Sequence, residues 1–382
     1  MDTITTGVVG RPWRASITPW GAIEPWGSDQ QLEWYVAAED RWHIPGTDTT
    51  IRQHRRDHTP VVDTRLRVPG GDIVQTIYST ADAGGMTVVE FANRSPVPVV
   101  IALNHRDVLT DRPIEDRRVE GLDLPEGAFS MPVSHGAAVR VALVHQGKRR
   151  GRIPAEIASS AEVVKGWSAT LGRASRLRLP NPAWTDAISL LRSELLLVGL
   201  PPVGDDPAGW VIGLGELVRL GEPIDPWLDE MVAAIAQIGP QAGWREDRAL
   251  DAARRILLVA DETRALGDLD RIIAGRQSST RPDVEPDGVA LIPWVERYLA
   301  TEGALAPMGI PRSWYGKPVE VYGLPTRNGS AVSYALRWHG ARPAILWEQS
   351  GAPITLSSPV MAPEWTTTES EGEALWPPPP AQ

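Results

Sequence analysis

The stretch "GRASRLRLPNPAWTDAISLLRSELLLVGLPP", residues 172–202, is where the chain changes character. Asn181-Pro182 stands where a helix N-cap and a first-turn proline belong. Ile188, Leu191, Leu195 and Val198 then recur at helical spacing, and Gly199 with Pro201-Pro202 stops the run. Everything before this join, up to about residue 180, reads as β; the residues after it read as helix.

Upstream, "TPVVDTRLRVPGGDIVQTIYS" has alternating segments at 61–68 and 72–78, joined by the turn Pro69-Gly70-Gly71. "GMTVVEFANRSPVPVVIALN" repeats the plan, with strands at 86–91 and 97–103 around a turn at 93–96. "AAVRVALVHQGKRRGRIPAEI" reads as a third hairpin whose turn carries Lys148, Arg149, Arg150 and Arg152. Such spacing predicts an antiparallel β-sandwich. Downstream, helices are expected at 209–219, at 225–238 with Asp225 as cap, at 245–262, near 266–274, and over "GVALIPWVERYLATEG". About six helices in this region are enough for helical hairpins to stack.

From about Met308 the pattern returns to β. In "VSYALRWHGARPAILWEQSG", residues 332–351, a four-residue loop at 339–342 would pair Trp338 with Pro343, Leu336 with Ile345 and Tyr334 with Trp347. Arg337, His339 and Glu348 would face water. The expected fold class is therefore α+β and multi-domain: a β-sandwich over 1–180, a helical-hairpin domain over 181–307, a small C-terminal β domain over 308–376 and a proline-rich tail over 377–382.

Composition narrows the function classes. The 382 residues carry a net charge of −10, which disfavours a general nucleic-acid surface. The absence of cysteine removes disulfides, Fe–S clusters and thiolate zinc sites. The first residues lack a secretory pattern, and no apolar run approaches the ~18 residues of a membrane helix, so a soluble, cytoplasmic protein without a membrane partner is expected. Gly213-Leu214-Gly215 has no strand before it and no third glycine in step, and no P-loop or Gly-x-Ser-x-Gly elbow occurs. His54 and His58 have zinc-like spacing but no helix to carry it. Neither a cofactor nor a metal is expected.

The order of the parts, with the join "VKGWSATLGRASRLRLPNPAWTDAISLLRSELLL", resembles the six-hairpin glycosidase superfamily, the glucoamylase-like and glycogen-debranching-like enzymes. The resemblance implies a β-sandwich before an α/α toroid, here a partial one, since the chain has room for about six helices where those enzymes have about twelve. It also implies glycoside hydrolysis by paired carboxylates. "AGWREDRALDAARR" resembles the Trp-x-Arg-Asp helix entry of glucoamylase-like enzymes, with Glu246 as an extra residue between Arg245 and Asp247. On that resemblance Asp247 and Glu246 are the catalytic candidates, and Trp244 and Arg245 would place the sugar. "VGDDPAG" adds Asp205 and Asp206 as substrate-binding candidates. The plainer reading makes Glu246 and Asp247 first-turn acids that complement a helix dipole, and Asp205 and Asp206 a turn and a cap.

Two functions fit these features. The first is a carbohydrate-handling protein that takes an oligosaccharide, with hydrolysis as an open question. The alternative is a non-catalytic structural or interaction protein whose half-toroid docks a partner subunit, as a homo- or hetero-oligomer.

Overall fold

The join at 172–202 is a passage from strand to helix in the computed structural model, which describes residues 3–114, 121–238, 243–277, 279–326 and 329–379. The strand Arg176–Arg178 is followed directly by a helix, Pro182–Val198. Asn181 caps it, its side chain accepting from the Ala183 N–H at 3.1 Å, and Gly199 ends it. Of the expected apolar stripe, Ile188 and Leu195 are buried, whereas Val198 is 52% exposed. Arg192 is buried on the same helix, paired with Glu216 and Glu296.

The chain is α+β, with seven α-helices and five sheets among the described residues. The helices are α1 (Ser160–Leu171), α2 (Pro182–Val198), α3 (Pro207–Leu220), α4 (Leu228–Ile238), α5 (Trp244–Val259), α6 (Thr263–Ala274) and α7 (Leu291–Leu299). None is long and apolar enough to cross a membrane. The chain separates into two compact units, Met1–Ala169 and Thr170–Gln382. Residues 380–382 of the proline-rich tail, and Ser278 of the loop before α7, lie outside the described residues.

In the first unit, a seven-stranded sheet contains the two predicted hairpin partners Val62–Val68 and Gly71–Thr80, with Met86–Asn93 next to them. A four-stranded sheet contains Val99–Leu103 and Phe129–Val133. The two sheets share a core in which Trp34, Ile101 and Phe129 meet Ile77, Phe91 and Val141. Alternation along Met86–Asn93 sends Val89 and Phe91 into this core and Val88 to the other face, where it clusters with its strand partners Tyr78 and Ala142 and with Val164 of α1.

Three expectations fail here. The second hairpin does not form: Met86–Asn93 pairs with Gly71–Thr80 and Ala138–Val144, whereas Val99–Leu103 crosses to the other sheet, between Trp34–Ala37 and Phe129–Val133. The third hairpin does not form: Gly151–Arg152 pairs in parallel with Leu109–Thr110, which lies between it and Ala138–Val144. The reading of everything before residue 180 as β also misses α1. Its start is a capping box, in which the Ser159 N–H and hydroxyl both donate to Glu162 at 2.8 and 2.7 Å.

In the second unit, one core joins Leu214, Ala252 and Val295 of the helices to Val321, Leu336, Ile345 and Leu356 of the strands. The glycines of "GLG" serve helix packing, because a Cβ on Gly215 would come within 3.0 Å of Ala252 on α5. The hairpin Ala331–His339/Arg342–Ser350 has the expected register, with Tyr334 opposite Trp347 and Leu336 opposite Ile345. It runs one pair further than expected: His339 pairs with Arg342 around a two-residue turn whose Gly340 has φ +62°.

One half-buried group in the first unit has a testable consequence. His145 stacks on Trp13, ring centroids 4.0 Å apart, with Nε2 3.0 Å from Thr87 Oγ1. Burial, reinforced by Arg14, pushes the imidazole down to about 4 from 6.5. Between these values the unfolded chain binds a proton that the native one refuses, so stability falls as pH drops from 6.5 toward 4. In urea titrations at about pH 7 and about pH 4.5, the stability advantage of the wild type over His145→Asn should shrink at the lower pH. Parallel curves would sink this assignment.

Candidate functional site

The expected site lies at the start of α5, and the structure divides its six residues among different tasks. Gly243 precedes the helix, and its carbonyl accepts the Asp247 N–H at 3.1 Å. Trp244 points into the core and is 8% exposed, so its ring has no free face to offer a sugar. Arg245 reaches across to Asp206, Nη2 to Oδ2 at 2.5 Å, with the Arg245 side chain 41% and the Asp206 side chain 55% exposed. Asp206 also caps α3 through Oδ1, which accepts the Gly209 N–H at 2.9 Å. Asp205 is exposed in the preceding turn. Glu246 folds back over Gly243, where a Cβ would come within 2.1 Å of Oε2.

Asp247 is engaged elsewhere. Its Oδ1 accepts from Arg276 Nη2 at 3.2 Å, and its Oδ2 accepts the Ser279 N–H at 2.8 Å. The structure therefore brings Arg245 and Asp206 together, and brings Asp247 to residues that the sequence reading did not name.

Asp247 lines a pocket of about 260 Å³ with Arg248, Asp251 and Arg276, and with Leu250, Ile273 and Ala274 as its apolar part. Asp247 and Asp251 are four residues apart and share one face of α5. Arg248 is 5% exposed, and its Nη1 lies 2.7 Å from Asp251 Oδ2. A smaller cavity of about 50 Å³ also has Arg248 and Asp251 in its wall, together with Arg254, Arg255, Glu296 and Arg297.

Glu296 links that cavity to a buried ionic network. Arg192 Nε donates to Glu216 at 2.9 Å, its Nη2 to Glu296 at 3.1 Å, and its Nη1 to the Ser175 carbonyl at 2.8 Å. Arg219 donates to Glu296 at 2.8 Å and to the Ala174 carbonyl at 3.1 Å, and it also bonds Glu216. The Ser175 hydroxyl completes the shell of Glu296 at 2.7 Å. Burial alone would push the Glu296 carboxyl up. Arg219 and Arg192, with hydrogen bonds from Arg219 and Ser175, outweigh it and hold the group well below the usual range. Burial likewise opposes the charge of Arg219, yet Glu216 and Glu296 raise its pKa.

The sequence reading missed this network, although a signal was present. Arg192 stands four residues after Ile188 and three before Leu195, on the apolar face of α2, while Glu216 interrupts "VIGLGELVRL" and Glu296 interrupts "LIPWVERYL". Charged residues in such positions stay buried only when paired.

No family model matches the sequence, and no curated protein is significantly similar to it.

The network and the surface pair should respond very differently to neutralisation. Glu296→Gln leaves Arg192 and Arg219 facing a single buried carboxylate, and should lower the free energy of unfolding in urea by about 3–5 kcal/mol. Arg245→Gln, which breaks an exposed pair, should cost less than about 1 kcal/mol. Equal losses would show that the buried charges do not carry this weight.

Proposed function

We propose that the protein is a carbohydrate-binding relative of the six-hairpin glycosidases, with a β-sandwich, a shortened helical toroid and a small C-terminal β domain. The order of elements supports this reading: strands to Arg152, helices from Ser160 to Leu299 interrupted by the strand Arg176–Arg178, then strands to Leu375. The observation that carries the ligand assignment is the pocket of about 260 Å³ between α5 and α6. Asp247 and Asp251 supply acceptors there, Arg248 and Arg276 supply planar donors, and a short apolar wall completes it. That mixture suits hydroxyl groups on a small ring, and the volume lies near the lower end of ligand pockets.

The proposal is binding without hydrolysis. Inverting hydrolysis needs a carboxyl kept neutral by apolar surroundings and a second carboxylate about 6.5–9.5 Å away, with a water beside it. Asp247 has Arg276 and the Ser279 N–H against its two oxygens, and Asp251 has Arg248 at 2.7 Å and Arg297 at 3.6 Å. Donors already occupy these carboxylate oxygens, where a hydrolytic water would have to be held.

The reading is tested on a glycan array run beside a reducing-sugar release assay. Binding to α-glucans or related oligosaccharides without release is expected, weakened about tenfold by Asp247→Asn. No binding to any glycan would end the carbohydrate reading, and sugar release would end its non-hydrolytic part. A protein-interaction module is the second reading. It is supported by Val232 on α4 and Val259 at the end of α5, which are 58% and 71% exposed. A mass that rises with concentration in light scattering, and falls back in Val232→Ser/Val259→Ser, would favour it.

A further inference from the structure

The smaller cavity has a charge pattern that the protein does not complete by itself. Its acids are already matched. Glu296 is held by Arg192 and Arg219, and Asp251 by Arg248 at 2.7 Å and Arg297 at 3.6 Å. Glu302 lies 4.0 Å from Arg297, and Arg254 is taken by Asp270 at 2.7 Å. Arg255 is left over: this half-buried guanidinium makes no hydrogen bond or ion pair with any described residue. Arg248 is buried, and its Nε and Nη1 find no acceptor in hydrogen-bonding geometry among the described residues. The hydroxyls on the wall are not competing donors, because Thr301 gives its proton to the Arg297 carbonyl and Thr326 to that of Ser330.

We propose that this cavity is a binding site for an oxyanion, the phosphate or carboxylate group of a small ligand, held by Arg255 and Arg248 with Arg297 at its side. Guanidinium forks match such groups in geometry as well as charge. The cavity's volume of about 50 Å³ admits a few water-sized groups, hence one oxyanion and not a nucleotide. Burial, and then the nearby Arg219, make the charge on Arg255 harder to hold; Asp251, Glu296 and Glu216 offset this only in part, and a bound anion would add to them. The inference needs only these arginines and does not rest on the carbohydrate reading.

Calorimetric titration of the whole chain at low ionic strength tests it, with inorganic phosphate in one arm and malonate in the other. At least one anion should bind, and the tighter arm identifies the ligand group. Arg255→Gln should weaken that binding about tenfold or more, and Arg255→Lys, which keeps charge but loses the fork, should fall between. Arg264→Gln, an exposed arginine near the start of α6, should change it less than about twofold. Failure of both anions to bind the wild type at millimolar concentration overturns the proposal. So does an equal loss in Arg255→Gln and Arg264→Gln, which would mean general charge attraction. If Arg255→Gln does not fold, the Arg255→Lys comparison decides by the same criterion.

Discussion

Three buried charges and a fourth, Arg219, that is partly buried set the terms for the second unit. Moving each of Arg192, Glu216, Arg219 and Glu296 out of water costs several kcal/mol, which is offset only if every donor and acceptor meets a partner in good geometry. That condition restricts where α2, α3 and α7 can lie, since one charge comes from α2, two from α3 and one from α7. It also reaches the loop before the first strand of the unit, because Ala174 and Ser175 supply two carbonyls and a hydroxyl. An apolar core tolerates small slides of one helix over another. A closed set of ion pairs does not, and here it lies beside a helix pair already drawn together by Gly215 against Ala252.

The same constraint shapes the surface above it. Glu296 belongs to the network and to the wall of the smaller cavity, so the charges beneath decide what the cavity can present. With Glu296 satisfied from below by Arg192 and Arg219, it has little left for the arginines above. Arg255 feels the field of Asp251, Glu296 and Glu216 but makes no hydrogen bond or ion pair with any described residue. Arg248 and Asp251 carry this arrangement on to the larger pocket, because they stand in both walls. The two pockets are therefore not independent accidents of helix packing; they share the outer shell of one ionic system.

How much of this was legible depends on whether the information was local. Strand alternation is local, which is why the segments at 61–68, 72–78 and 86–91 and the register of Ala331–His339 with Arg342–Ser350 were readable. The Asn181-Pro182 cap was readable for the same reason. Pairing across distance was not: nothing near Gly151 indicates that it joins Leu109 in parallel instead of folding back on Val144. The helix α1 was a local signal overlooked, since Ser159 and Glu162 spell a capping box in a region whose strands had set the expectation.

The candidate site shows the same division more sharply. That Asp206 caps a helix, and that Glu246 and Asp247 sit in a first turn, was evident from sequence position alone. The identities of their partners were not, because Arg276 and Ser279 reach Asp247 from beyond the next helix and Arg245 reaches Asp206 from thirty-nine residues away. A Trp-Arg-Glu-Asp run read as one functional unit is separated by helical geometry. Successive residues on a helix point about 100° apart, so Trp244 enters the core, Arg245 turns to α3 and Asp247 turns to α6. Residues that act together on a helix lie three or four apart. Asp247 with Asp251 obeys this spacing, Arg248 with Arg255 lies on one face at seven residues, two turns apart, and these are the pairs that meet in the pockets.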